Sequence, residues 1–257
     1  MKSRLIAILL ILCASSNAWA QPFGMSRQYY VITDKDGYTN IREKPTTNSK
    51  IIGKVVKYEV FFESDYFCGW EADGDIDLNT IPPNWAPVRK GAEHPVGYVY
   101  KANVMSFRDM ESLQSNFREF GGPDTITSST GKLEVSLILK PFDFENHKFE
   151  LVNKNGIVYT SIDGEYPKGM LIYEFTKESC AVVREIKELI INTPEKKYSL
   201  PVDVFKSYFN PTWMTVFTGP ENELYISIQF GMDGEAYLVM LSVVNGEIIY
   251  FKETDDC

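Results

Sequence analysis

Histidine is nearly missing from this sequence: 257 residues contain two, His94 and His147, one in each half. A histidine-dependent hydrolase or a histidine-ligated metal centre needs ring nitrogens and partners gathered in one place, which two such distant residues do not suggest. Also missing are a Gly-rich phosphate loop, His-Glu-x-x-His, Gly-x-Ser-x-Gly and Cys-x-x-Cys. The spacings that cradle nucleotides, bind catalytic zinc, present a serine nucleophile or form a redox dithiol are therefore not written here. Basic residues are in deficit, 26 Lys+Arg against 35 Asp+Glu for a formal net charge of −9, which speaks against a nucleic-acid partner. No apolar run reaches the roughly 20 residues needed to cross a bilayer as a helix, which excludes a polytopic helical membrane protein.

The one unbroken apolar run, Leu5 to Cys13, follows the cationic start Met1-Lys2-Ser3-Arg4 and precedes Ala18-Trp19-Ala20, a small-x-small site before Gln21. This is the layout of a secretory signal peptide over residues 1–20. The expectation is a secreted or periplasmic protein with no stable membrane insertion after cleavage. Cleavage would leave Cys68, Cys180 and Cys257. An oxidising compartment permits a disulfide, and an odd count leaves one thiol over. Three pairings are possible, and Cys180 with Cys257 is favoured because both fall in the second half.

What the sequence has in abundance is aromatic residues, 14% of the chain, together with Val, Ile and Thr, a composition that leans toward strands. Tyr29 to Thr33 alternates as a strand and Asp34-Lys35-Asp36-Gly37 is a turn. Next comes a short strand ending in Asn40-Ile41-Arg42, a loop carrying Pro45, a small polar run, and Ile52-Gly53 leading into another strand. Further on, Asn84-Trp85-Ala86-Pro87-Val88-Arg89 and Val96-Gly97-Tyr98-Val99-Tyr100-Lys101-Ala102-Asn103-Val104 form a second pair of blocks. In this order the blocks resemble the bacterial SH3-like (SH3b) domain over residues 30–104, with an insertion at 67–83. The resemblance implies a small barrel at 28–107 and a role in engaging cell-wall peptide or a protein partner in the envelope. It supplies no residue-level ligand site.

The aromatic candidates for a ligand-binding surface are Tyr38, Trp70, Trp85, Tyr98 and Tyr100, which could equally be barrel core. In the insertion, Asp73, Asp75, Asp77 and Asn79 place oxygen side chains at every second position, as a calcium loop does. Leu78 stands where such a loop bends at Gly, and Asn84 where it uses a bidentate Glu. The tract reads as a solvated acidic loop, with a calcium site as the alternative. No cofactor is implied.

Residues 108–257 are expected to form a second, β-rich domain (β or α+β) of unknown family with one or two short helices, so the fold class is mainly β. Met110, Leu113, Phe117 and Phe120 recur at three- and four-residue steps behind Ser106, a pattern that predicts an amphipathic helix over 106–120. Residues 181–191 fit either a strand or a helix face, and a short helix is expected within 200–209. Turn pairs Asp163-Gly164, Asp233-Gly234 and Asn245-Gly246 separate the remaining strands, the last being the strongest hairpin signal. This half carries 14 basic and 24 acidic residues.

The sequence therefore implies an exported, non-catalytic binding protein. The alternative is an inhibitor or immunity-type protein neutralising a cationic toxin or lytic enzyme through its acidic half. The carboxylate pairs Glu221/Glu223 and Asp143/Glu145 would each lie on one strand face and could serve a glycosidase, but among 35 acidic residues such pairs arise by chance.

Overall fold

The computed structural model describes residues 29–63, 78–90, 96–119, 121–154, 156–170, 175–231 and 236–254. The signal-peptide segment, Cys68, Trp70, Asp73, Asp75, Asp77, the Asp233-Gly234 turn and Cys257 lie outside them. The chain is mainly β. In order it forms β1 (Tyr29–Ile32), β2 (Tyr38–Arg42), β3 (Ile51–Val56), β4 (Phe61–Glu63), β5 (Trp85–Arg89), β6 (Gly97–Tyr100), β7 (Val104–Ser106), β8 (Glu111–Gln114), β9 (Thr125–Ser129), β10 (Glu134–Pro141), β11 (Phe149–Lys154) and β12 (Ile157–Ile162). After a one-turn helix, α1 (Lys177–Cys180), come β13 (Arg184–Asn192), β14 (Lys197–Leu200), β15 (Pro211–Thr218), β16 (Leu224–Phe230), β17 (Tyr237–Val244) and β18 (Glu247–Thr254).

The first half is one antiparallel sheet ordered β3-β2-β6-β5-β4-β1-β7, and among the described residues no ladder joins β3 to β7. Its core, including Ile32, Ile41, Val55, Phe61, Ala86, Val88 and Val99, takes alternate residues of each strand. Packing at β6 is close enough to require glycine: a Cβ on Gly97 would lie 2.2 Å from Ile41 Cγ2 and 3.1 Å from the Arg42 carbonyl.

The second half is a sandwich. Sheet β14-β13-β10-β9 faces sheet β18-β17-β16-β15-β8, and Val135, Leu137 and Leu189 meet Val216, Ile226, Ile228, Val239 and Leu241 between them. The strand alternative holds for most of 181–191, since β13 forms a long ladder with β10. Asn245 and Gly246 have φ of 52° and 82°, the left-handed pair that a two-residue hairpin turn demands, and they join β17 to β18.

The expected helix over 106–120 does not form in its described part, 106–119; Phe120 lies outside the described residues. A 3₁₀ turn at Phe107–Asp109 precedes β8, and the chain then stays extended along β15, with Ser115 N donating to Met214 O at 2.9 Å and Arg118 N to Thr212 O at 2.8 Å. The edge of β15 offers this segment backbone partners, while Phe107 and Met110 bury their side chains in a different cluster. Pairing across the chain outweighs the local helical period. The helix expected within 200–209 is reduced to a 3₁₀ turn at Asp203–Phe205.

The two halves share one apolar cluster. The outer face of the five-stranded sheet carries Phe217, Tyr225, Leu238 and Met240, and these pack against Tyr29, Val31, Val60 and Phe62 of the first sheet and against Phe107 and Met110 of the connection. Burying each large apolar side chain contributes roughly 1.5–3 kcal/mol, so this shared cluster couples the stability of the two halves.

Candidate functional site

Alternation sorts the first sheet into two faces. Thr39 and Ile41 of β2, Val55 of β3, Ala86 and Val88 of β5, and Val99 of β6 point inward and are buried. Their neighbours therefore project from the other face: Tyr38, Asn40 and Arg42; Lys54 and Val56; Trp85 and Pro87; Tyr98 and Tyr100. The ladders place Tyr38 opposite Val56 and Asn40 opposite Lys54, Arg42 opposite Tyr98, and Trp85 opposite Tyr100. Four of the five sequence-selected aromatics thus share one sheet face, and the fifth, Trp70, lies outside the described residues.

Their exposure differs. Trp85 is only 6% exposed, roofed edge-on by Tyr100 with ring centroids 5.6 Å apart and an interplanar angle of 75°. Tyr100 and Tyr38 are 38% and 37% exposed, and Tyr98 is half-buried. Lys54 Nζ stands 3.4 Å from the Tyr38 ring centroid, a cation–π contact. Arg42 is held in place by donation from Nη1 to the Ser49 carbonyl at 2.7 Å. The result is an aromatic surface with two fixed cations, Arg42 and Lys54. It suits an extended peptide that offers apolar or ring contacts together with carboxylate groups.

The other candidates are not assembled into chemistry. Glu223 is buried and accepts from Glu221 N at 2.8 Å and from the Tyr225 hydroxyl at 3.1 Å; burial and the adjoining Glu223 carboxylate push the Tyr225 phenol up. Glu221 turns away to Lys57, 2.5 Å distant, and that hydrogen bond holds the Lys57 ammonium above its ordinary value. Asp143 accepts from Asn146 Nδ2 at 2.6 Å and Glu145 pairs with Lys177 at 2.9 Å. Neither pair of carboxylates faces a common space. Among the described residues Cys180 is a buried thiol without a disulfide partner, and burial raises its pKa, which leaves such a thiol a poor nucleophile near neutrality. Its candidate partner Cys257 is outside the described residues. Asn79 lies in a 3₁₀ turn at Leu78–Thr80, and among the described residues no group of three or more His, Cys, Asp or Glu side chains is placed to hold a metal ion.

Part of the acidity of the second half is engaged within the protein. Asp124 pairs with Arg184 at 2.6 Å, Glu150 with Lys148 at 2.5 Å, Glu165 with Lys206 at 3.0 Å and Glu185 with Lys140 at 2.6 Å, and Glu253 is bonded to Lys168. Interspersed charges of both signs weaken the field such a half could project toward a cationic partner.

Sequence reasoning missed the seam between the halves. A signal was present: β17, Tyr-Leu-Val-Met-Leu-Ser-Val-Val, is apolar at both parities, the mark of a strand covered on both faces. No family model matches the chain, and no curated protein and no solved structure matches it.

Proposed function

We propose that this chain is an exported, non-catalytic binding protein of the bacterial envelope, whose SH3-like first half takes an extended cell-wall peptide or a peptide segment of a protein partner. The observation that carries this reading is the face on which the exposed Tyr38 and Tyr100 and the half-buried Tyr98 stand beside Arg42 and Lys54, with Trp85 buried beneath Tyr100. Rigid aromatic rings supply contact area at low entropic cost, and the two cations supply orientation. Export rests on the signal-like layout of residues 1–20. The inhibitor reading rests on the net negative charge of the second half alone, part of which is already paired with basic side chains.

Retention on purified peptidoglycan tests the proposal. The full chain is expected to be retained, and Tyr38→Ala/Tyr100→Ala to lose most of that retention while keeping its melting temperature within a few degrees. Equal retention of the double variant, or none by either protein, would remove this face as the wall-binding surface. Capture of one soluble protein partner instead, abolished by the same double variant, would assign the face to a protein segment.

A further inference from the structure

Outside the aromatic face, His147 is an ionisable side chain bonded through both of its ring nitrogens. It follows the 3₁₀ turn at Phe144–Asn146, and its ring stacks on Phe142 with centroids 4.5 Å apart and planes within 11°. Both ring nitrogens meet carboxylates: Nδ1 lies 2.7 Å from Asp163 Oδ2, and Nε2 lies 2.6 Å from Glu185 Oε1. Asp163 directly follows β12 and also accepts from Lys148 N at 2.9 Å. Glu185 belongs to β13, is buried, and binds Lys140 of β10 through its other oxygen at 2.6 Å. One imidazole therefore ties the base of the β11–β12 hairpin to the four-stranded sheet.

Among the described residues the hairpin has few other attachments, and its two strands pair only with each other. Ile162 and Phe149 root it in an aromatic cluster with Phe142, Phe144 and Phe209. Farther out on the same face as Phe149, Leu151 is 77% exposed, and Val158 across the ladder is 56% exposed. Such an element sits at the low end of local stability, where one anchoring contact has a large effect.

The number of protons on the ring then matters. An imidazolium donates from both nitrogens, whereas a neutral imidazole keeps one lone pair. In the neutral ring that lone pair would face a carboxylate oxygen across 2.6 or 2.7 Å, a repulsive contact that must open. We propose that His147 is a proton-dependent clamp: doubly protonated it holds the β11–β12 hairpin on the sandwich, and loss of one proton as pH rises releases it. The charged groups around the clamp are Asp163, Glu185 and Lys140, with Lys206, already paired to Glu165, acting on Asp163 from the turn after Asp203–Phe205. Asp143 and Glu145 beside the ring's own turn are engaged by Asn146 and Lys177. Protonation of Asp163 would undo the clamp from the acid side, so the hairpin should be protected within a pH window and freed on both flanks.

The chain has only two histidines, which makes the test clean. In the ¹⁵N-labelled full chain, with His94→Gln for assignment, both His147 ring nitrogens should carry protons wherever the hairpin is protected. On raising the pH, loss of a ring proton should coincide with on the order of tenfold faster amide exchange in residues 149–162, after correction for intrinsic rates. Exchange in β16 should stay unchanged. His147→Gln should expose the hairpin at every pH and abolish the dependence, and Asp163→Asn should do the same on the acid flank if the first variant folds poorly. A neutral single-tautomer His147 in the protected state would overturn the proposal, as would deprotonation without a change in hairpin exchange.

Discussion

The Ser242 hydroxyl donates a 2.7 Å hydrogen bond to the carbonyl of Tyr58, a non-glycine residue held at φ 73°. Left-handed backbone at a bulky residue is unfavourable and persists where its surroundings over-determine it. Tyr58 belongs to the turn between β3 and β4, while Ser242 sits on β17, fully buried. The bond spans the seam, and the Tyr250 hydroxyl repeats the pattern two residues on by donating to Val60 O at 3.2 Å. Ser242→Ala should therefore cost about 1 kcal/mol, the usual net value of one such bond. A lowered urea midpoint with unchanged slope would show it; an unchanged midpoint would mean the bond contributes nothing.

Met240 is completely buried within the shared cluster. Met240→Ala should destabilise by about 2–5 kcal/mol, and the loss should appear in both halves together. Amide exchange at Val99 in the first sheet and at Ile226 in the second should rise by similar factors. Loss of protection confined to the second half would show that the seam does not couple the folding of the two.

Gly97 should be irreplaceable for steric reasons rather than for backbone freedom. In Gly97→Ala the added methyl meets Ile41 and the Arg42 carbonyl, so overpacking should cost about 1–3 kcal/mol. The same strain would displace β2 against β6 and weaken any peptide retained on the aromatic face. A melt indistinguishable from the parent would contradict the closeness of this contact.

The Asp163 carboxylate is held below its ordinary value of 3.8, chiefly by the Lys148 backbone N–H and further by His147, against an opposing burial effect. A carboxylate whose folded value is lowered contributes stability that is full above the unfolded value and lost as pH falls through the folded one. Hairpin amides should accordingly lose protection on acidification below about pH 4, and Asp163→Asn should erase that acid limb. A limb that survives in the variant would belong to another group.

Much of the fold was legible residue by residue. Asn245-Gly246 between alternating runs can hardly be anything but a hairpin, because few residues accept left-handed backbone twice in succession. The common face of Tyr38, Tyr98, Tyr100 and Trp85 was half-legible: period-two alternation orders each strand, but only the ladders bring their three strands side by side. Residues 106–120 misled because a three- and four-residue apolar spacing is local information, whereas the edge of β15 that captures Glu111–Gln114 lies a hundred residues away.

By itself the sequence determined the strand-forming composition, the turns, and the inward and outward residues of each strand. Tertiary structure alone decided that the outer face of β15–β17 is covered by the first sheet, that 111–118 extends instead of coiling, and that His147 finds Asp163 and Glu185. The physical reason is the range of the forces involved. Alternation, turn geometry and propensity act over a few residues, whereas burial of Phe217 under Phe107 and bridging of Asp163 to Glu185 depend on surfaces that exist only once distant strands have paired.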